Sequence, residues 1–345
     1  MKRMVRITEQ NRDRIQLDDE IDDEVVVLDS LRGYTIRNKT FSFNRSGEDM
    51  LELRNCVDCK IIDCTFKDKD TIGNFIHIRG ANSKHNLIEN CKFMNQTQDE
   101  DTNGGEAIII GLDDFSGCRY ETTVRKCEFI NCTGDPEIIS VKSADNVIEN
   151  NCIRADCDGN ITVRHGGRTT IQNNVLEGSA GGIRILGCDN KIIGNYHNGN
   201  NNRSQKRRPL IIQVGDRERD PNFRDNCSPR DEEGNGAAHA KVVGNTIEGN
   251  IYENCSRGPC VVWGWQQERG HRERPEDNTF RKNILIADEV DSEFLEFIHR
   301  GEDNTFKDNK MHGRRASRGD LPEDSVERLD NRPDITIPDT PCRAS

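Results

Sequence analysis

Five residues near the middle of the chain have types and spacings that could do chemistry together. Asp135 and Glu137 open a short β-rich run that ends at Lys142, Arg164 ends the next such run, and Arg184 sits inside the one after. The runs read Glu137-Ile138-Ile139-Ser140-Val141-Lys142, Asn160-Ile161-Thr162-Val163-Arg164 and Gly182-Ile183-Arg184-Ile185-Leu186-Gly187. A lone lysine or arginine on a strand is normally a solvated charge. Three on neighbouring strands, beside two carboxylates, make a local field suited to an anionic ligand, with groups that can hold or move a proton.

Such a set works only if the chain stacks these runs, and an irregular repeat says that it does. One segment type recurs around Cys64, Cys91 and Cys127, then around Asn151, Asn174, Asn195, Asn245, Asn283 and Asn309. The spacings run from 21 to 50 residues. Short spacings suit one coil of a β-helix, and long ones imply loops inserted into single coils. An Asn or Cys repeated at one corner suggests a ladder from coil to coil. The fourteen cysteines are read the same way, as small buried thiols. Cys56 and Cys59 have no partner pair at zinc spacing.

Between the corner segments lie apolar runs bounded by Gly or polar residues: those above, and Phe75-Ile76-His77-Ile78-Arg79, Ala107-Ile108-Ile109-Ile110-Gly111 and Leu210-Ile211-Ile212-Gln213. Alternation assigns their faces. Ile78, Ile109, Val141, Val163 and Ile185 are expected to point inward, as are Ile76, Ala107, Ile139, Ile161 and Ile183. His77, Ile108, Ser140, Thr162 and Arg184 then form an outward row, followed by Arg79, Ile110, Lys142, Arg164 and Leu186. Parallel strands lie about 4.8 Å apart, so Lys142 and Arg164 become neighbours on one exposed sheet. The fold class is therefore all-β, a single-domain right-handed parallel β-helix. Residues 1–48 form an N-terminal cap and first partial coil, 49–310 the β-helix, and 311–345 a charged tail that packs along it or stays disordered.

The run Asp135-Pro136-Glu137 through Lys142-Ser143, with Val163-Arg164-His165-Gly166, Gly181-Gly182-Ile183-Arg184 and Asn103-Gly104-Gly105-Glu106, resembles polysaccharide lyase family six, the chondroitinase B and alginate lyase family. The likeness covers roughly residues 50–310. It implies a β-eliminating lyase that cleaves alginate, with Ca²⁺ beside the scissile bond. Lys142 matches the general base and Arg164 the general acid. Asp135 and Glu137 match calcium-binding carboxylates, and Asn103 an amide ligand. Asp135 stands where the family pattern has Glu. His165, Arg184, Arg79, His77 and Tyr196 are the expected substrate contacts. The chemistry is coherent: the proton on C5 of a uronate is weakly acidic while its carboxylate keeps its charge. A cation held by hard oxygen ligands would neutralise it. The family is secreted or periplasmic, whereas the visible start carries no signal peptide, which leaves the cytoplasm open.

Bulk properties agree. Hydrophobic residues are only 32% and the mean hydropathy is -0.84, as expected for a thin core. The net charge of -12 argues against a nucleic-acid partner, and no apolar stretch is long enough for a membrane helix. The expected partner is an anionic polysaccharide, met by a monomer. Three alternatives stand: the same chemistry on chondroitin or dermatan sulfate, a β-helical glycoside hydrolase, and a non-catalytic carbohydrate-binding β-helix. The hydrolase needs two carboxylic acids flanking the scissile bond, and the Lys142 and Arg164 rows offer none. The basic run Lys206-Arg207-Arg208 could border the groove, and Trp265 could be an exposed sugar platform while Trp263 packs.

Overall fold

In the computed structural model, residues 4–98, 104–112, 115, 117–178, 181–199, 208–215, 241–255, 258–266 and 273–343 are described. Their strands form three parallel sheets of 12, 10 and 12 strands, visited in turn by each coil. The architecture is a right-handed parallel β-helix. Among the described residues no helix is long and apolar enough to cross a membrane.

The sequence dictates this coil by coil. Each coil contributes β-branched runs that pair in register, such as Ile139↔Ile161 and Val141↔Val163 in the first sheet. Sharp corners follow from single residues in the left-handed region: Asp63, Asn90, Lys126, Asn150 and Asn173 all have φ of 54–55°. Most are Asn or Asp, whose short polar side chains tolerate that conformation best. Inside, like stacks on like. Phe41, Phe66, Phe93 and Phe129 form a column with ring centroids 4.6, 5.3 and 4.9 Å apart.

The corner after the second sheet carries the expected ladder. Cys64, Cys91 and Cys127 are buried there as free thiols. From Asn151 onward each side-chain Oδ1 accepts from the backbone N–H one coil earlier, through Asn174, Asn195, Asn250, Asn283 and Asn309. Asn245, expected in this row, belongs instead to a second ladder at another corner, with Asn190, Asn278 and Asn304. The long spacing after Asn195 hid which of two asparagines five residues apart continues the row.

The register differs from expectation at one coil. Ile108 pairs with Ile76 and Ile139, while Ile109 pairs with His77 and Ser140. Ile108 and Ile110 therefore point inward, Ile109 joins the outward row, and Gly111 rather than Ile110 precedes Lys142. Three consecutive isoleucines carry no alternation, so the one-residue choice was invisible in the pattern.

Residues 316–319 and 326–329 add strands to the first and third sheets. Beyond them the chain crosses the outer face of the third sheet. Arg332 pairs with Glu253 and Asp288. Ile335 and Ile337 pack on Val175, Tyr196, Ile251 and Ile286. Cys342 forms a disulfide with Cys152, 190 residues away, which the positional reading of the cysteines did not anticipate.

Two predictions follow from these features. Asn174→Ala removes hydrogen bonds to two coils and strands buried donors, so it should cost about 3 kcal/mol in urea unfolding. Cys342→Ser should lose about 2–4 kcal/mol, seen as a lower Tm.

Candidate active site

The first sheet presents an outward row that runs His77, Ile109, Ser140, Thr162, Arg184 across neighbouring coils. Lys142 and Arg164 follow directly on Val141 and Val163, which pair, so the two leave the sheet at the same edge of adjacent coils. The backbone fixes both: Lys142 N–H donates to Ile110 O at 2.8 Å, and Arg164 N–H to Val141 O at 2.9 Å. Gly111 flanks Lys142 on the preceding coil. Its φ is +96°, and a Cβ there would lie 2.9 Å from the Lys142 carbonyl. That position has no room for a side chain.

Glu137 shares parity with the inward Ile139 and Val141, so simple alternation would bury it in the core. A bulge between Glu137 and Ile139 breaks that parity. Ile138 and Ile139 both enter the core, and Glu137 turns to the outward face. There its Oε2 accepts from Ser140 Oγ at 2.6 Å. Its Oε1 takes two guanidinium groups, Arg184 at 2.9 Å and Arg164 at 3.4 Å. Burial alone would raise the Glu137 pKa, but Arg184, Arg164, the Ser140 hydrogen bond and Lys142 outweigh it and hold the carboxyl below its ordinary range. Two cations on one carboxylate leave this triad with one net positive charge.

Asp135 is buried beside it. Its Oδ1 accepts from the Glu137 amide at 3.0 Å and its Oδ2 from the Gly104 amide at 3.3 Å. Burial, then Glu137, push its pKa up. Glu106, one coil earlier, is an acid that the residue patterns did not single out. It is 3% exposed, and burial followed by Asp135 and Glu137 pushes its pKa up to about 8. Its only signal was membership of the Asn103–Glu106 run. Ser140 was placed in the outward row by alternation, but its bond to Glu137 needed the bulge to be seen.

Asn103 lies outside the described residues, and the described ones do not by themselves make up a closed calcium sphere. Glu137 Oε1 already holds two guanidinium groups, which repel a cation. Among the described residues, Glu106, Asp135 and Glu137 do not bring one oxygen each within 4.8 Å of one another. The trio that does is Cys152, Glu177 and Cys342, whose two cysteines are bonded to each other. Glu106 Oε2 is buried and has no hydrogen-bond partner.

The expected substrate contacts divide. Arg184 is in the cluster. His165 follows Arg164 but is buried in the turn. His77 lies two coils away in the outward row, with Nδ1 2.9 Å from Asp49 Oδ2. Arg79 is engaged by Glu52, which also holds Arg54. Tyr196 is not at the site. It belongs to the third sheet, and its hydroxyl donates to Glu253 Oε2 at 2.6 Å under the C-terminal segment. Trp265 is buried, packed on Ile211 and Val262, and so is no exposed platform; Trp263 is buried in the core. Arg208 is buried too, and Lys206 and Arg207 lie outside the described residues.

Known proteins share this architecture. A mannuronic acid specific polysaccharide family 6 lyase from human gut microbiota is 20% identical, with a TM-score of 0.66 over 91% of this chain and 76% of its own. A PL6 alginate lyase solved as a trisaccharide complex is 18% identical, with a TM-score of 0.66 over 98% and 90%. The PL6 alginate lyase AlyGC is 18% identical, with a TM-score of 0.58 over 95% of this chain, which spans about half (53%) of AlyGC. No curated protein matches. Residues 36–219, more than half the chain and including Lys142, Arg164, Arg184 and Glu137, match the Chondroitinase B family. By that match the chain belongs to the chondroitinase B family, polysaccharide lyase family six.

Proposed function

We infer that the protein cleaves alginate by β-elimination, with Lys142 as the base and Arg164 as the group that assists the leaving oxygen. The observation that carries this reading is the exit of Lys142 and Arg164 from paired residues of adjacent strands, beside a carboxylate-anchored arginine pair. Neutral Lys142 Nζ takes the C5 proton of the uronate. The electron pair of that C–H bond becomes the C4=C5 double bond, and the C4–O bond breaks with its electrons going to oxygen. Arg164 stabilises that oxygen by hydrogen bonding. Releasing a proton from Arg would be costly, so the oxygen takes its proton from water. The resemblance implies Ca²⁺ on Asn103, Asp135 and Glu137, and no step here uses it.

Alginate is favoured over sulfated polymers because the two solved relatives named for it superpose over 95% and 98% of this chain. The Cys152–Cys342 disulfide fits an oxidising compartment, which supports a secreted or periplasmic location.

Incubation with alginate, chondroitin sulfate and dermatan sulfate, followed by ultraviolet absorbance of the unsaturated uronate, tests the reading. Absorbance should rise on alginate. Lys142→Ala should lower kcat by about 10³-fold or more at an unchanged Tm, consistent with loss of a proton-transfer group. A rise only on the sulfated polymers would replace the substrate and keep the mechanism. A folded protein that produces no absorbance on any of the three would remove the lyase reading for these polymers. Arg164→Lys keeps the charge but loses the planar fork, so it should reduce kcat more than it raises KM.

A further inference from the structure

We propose that Arg184 supplies the fixed positive charge that neutralises the uronate carboxylate during proton abstraction, so that this chain works without a divalent cation. The inference rests on the lyase reading above and concerns what stabilises the carbanion. A base at Lys142 removes a proton that is acidic enough only if the neighbouring carboxylate loses its charge or is matched by a positive one. Whatever does this must sit within reach of the substrate carboxylate and be held firmly before the substrate arrives.

Arg184 is held firmly on the face of the sheet that carries the cluster. It lies on the outward row of the first sheet, aligned with Thr162, which in turn aligns with Ser140. Its side chain is nearly buried and fixed at 2.9 Å to Glu137 Oε1. Glu137 is itself pinned by Ser140 at 2.6 Å and shared with Arg164 at 3.4 Å. One carboxylate thus orients two guanidinium groups, and the unit retains one net positive charge. A planar guanidinium presents paired donors that match a carboxylate, and it cannot lose its charge at working pH.

The same geometry opposes a cation. Glu137 Oε1 holds two guanidinium groups and Oε2 the Ser140 hydroxyl, so a cation at Glu137 would sit beside two fixed positive charges. Asp135 is committed to the amides of Glu137 and Gly104. Its carboxylate is one methylene shorter than a glutamate, and Pro136 stiffens the backbone behind it. Among the described residues, no three acidic oxygens of this cluster come within 4.8 Å of one another.

The test has a metal arm and a charge arm, both on the full chain. Protein dialysed against a chelator is analysed for bound metal and titrated calorimetrically with calcium chloride alone. The expected result is no stoichiometric calcium and no binding heat, and one calcium per chain would overturn the proposal. Turnover of alginate should be the same in chelator and in added calcium. Activity lost in chelator and restored by calcium would overturn the proposal while leaving the lyase reading intact. Arg184→Ala should lower kcat by about 10²–10³-fold, the range for losing one preorganised donor. Arg184→Lys, which preserves charge and keeps Glu137 paired, should recover part of that loss. Both variants are checked for an unchanged circular dichroism spectrum. A folded Arg184→Lys or Arg184→Ala enzyme with wild-type kcat would sink the idea. If wild type turns over no polymer, the lyase reading fails, and the calorimetric arm still decides whether the chain binds calcium.

Discussion

In-register stacking of parallel coils is the constraint on which everything else in this molecule depends. Once Val141 pairs with Val163 and Ile161 with Ile183, residues distant in sequence are held about one strand spacing apart. The stacking leaves little freedom. A slip by one residue would exchange the core row for the outward row on that strand. The phenylalanine column and the asparagine ladders oppose such a slip from inside, because each position must meet its own kind above and below. A site built on these rows inherits their rigidity without needing loops to assemble it.

Within that lattice the site depends on a single local departure. The bulge after Glu137 inserts one residue into an otherwise regular ladder, and it moves a carboxylate from the core face to the outward face. Burying an unpaired carboxylate would be costly, but here Ser140, Arg164 and Arg184 supply partners. The arrangement also explains why Glu106 and Glu137 behave oppositely although both are buried. Glu137 has two cations at one oxygen and is held in its charged form. Glu106 faces Asp135 and Glu137 and has no comparable cation partner, so its pKa climbs.

Much of this was legible from residue types. The β-rich runs, the corner Cys and Asn positions, and the adjacency of Lys142, Arg164 and Arg184 all follow from periodicity and spacing. What was not legible has a physical reason in each case. Three isoleucines in a row at Ile108–Ile110 carry no parity, so their register had to come from the neighbouring strands. Asn245 and Asn250 are both followed within one or two residues by an apolar strand, and only the stacked carbonyls distinguish their ladders. Tyr196 lies beside a long insertion, yet it is its sheet, not its neighbours in sequence, that sets where it points. The Cys152–Cys342 bond joins residues 190 apart, a pairing that thiol spacing does not encode.

The choice between a fixed arginine and an exchangeable ion has a consequence for how the fold carries its charges. A bound cation must be recruited by several carboxylates that repel one another while it is absent. An arginine grown from the sheet carries its counter-charge into the folding reaction, so the cluster is already balanced when the strands come together. Buried ion pairs add little net stability, because desolvation offsets much of the attraction. Their value here is positional: Glu137 restrains both guanidinium groups before any ligand binds, so little reorganisation remains for them. The bulge that turns Glu137 to the outward face and the register that brings Arg184 two coils over are therefore parts of one device, because the Glu137–Arg184 pair needs both.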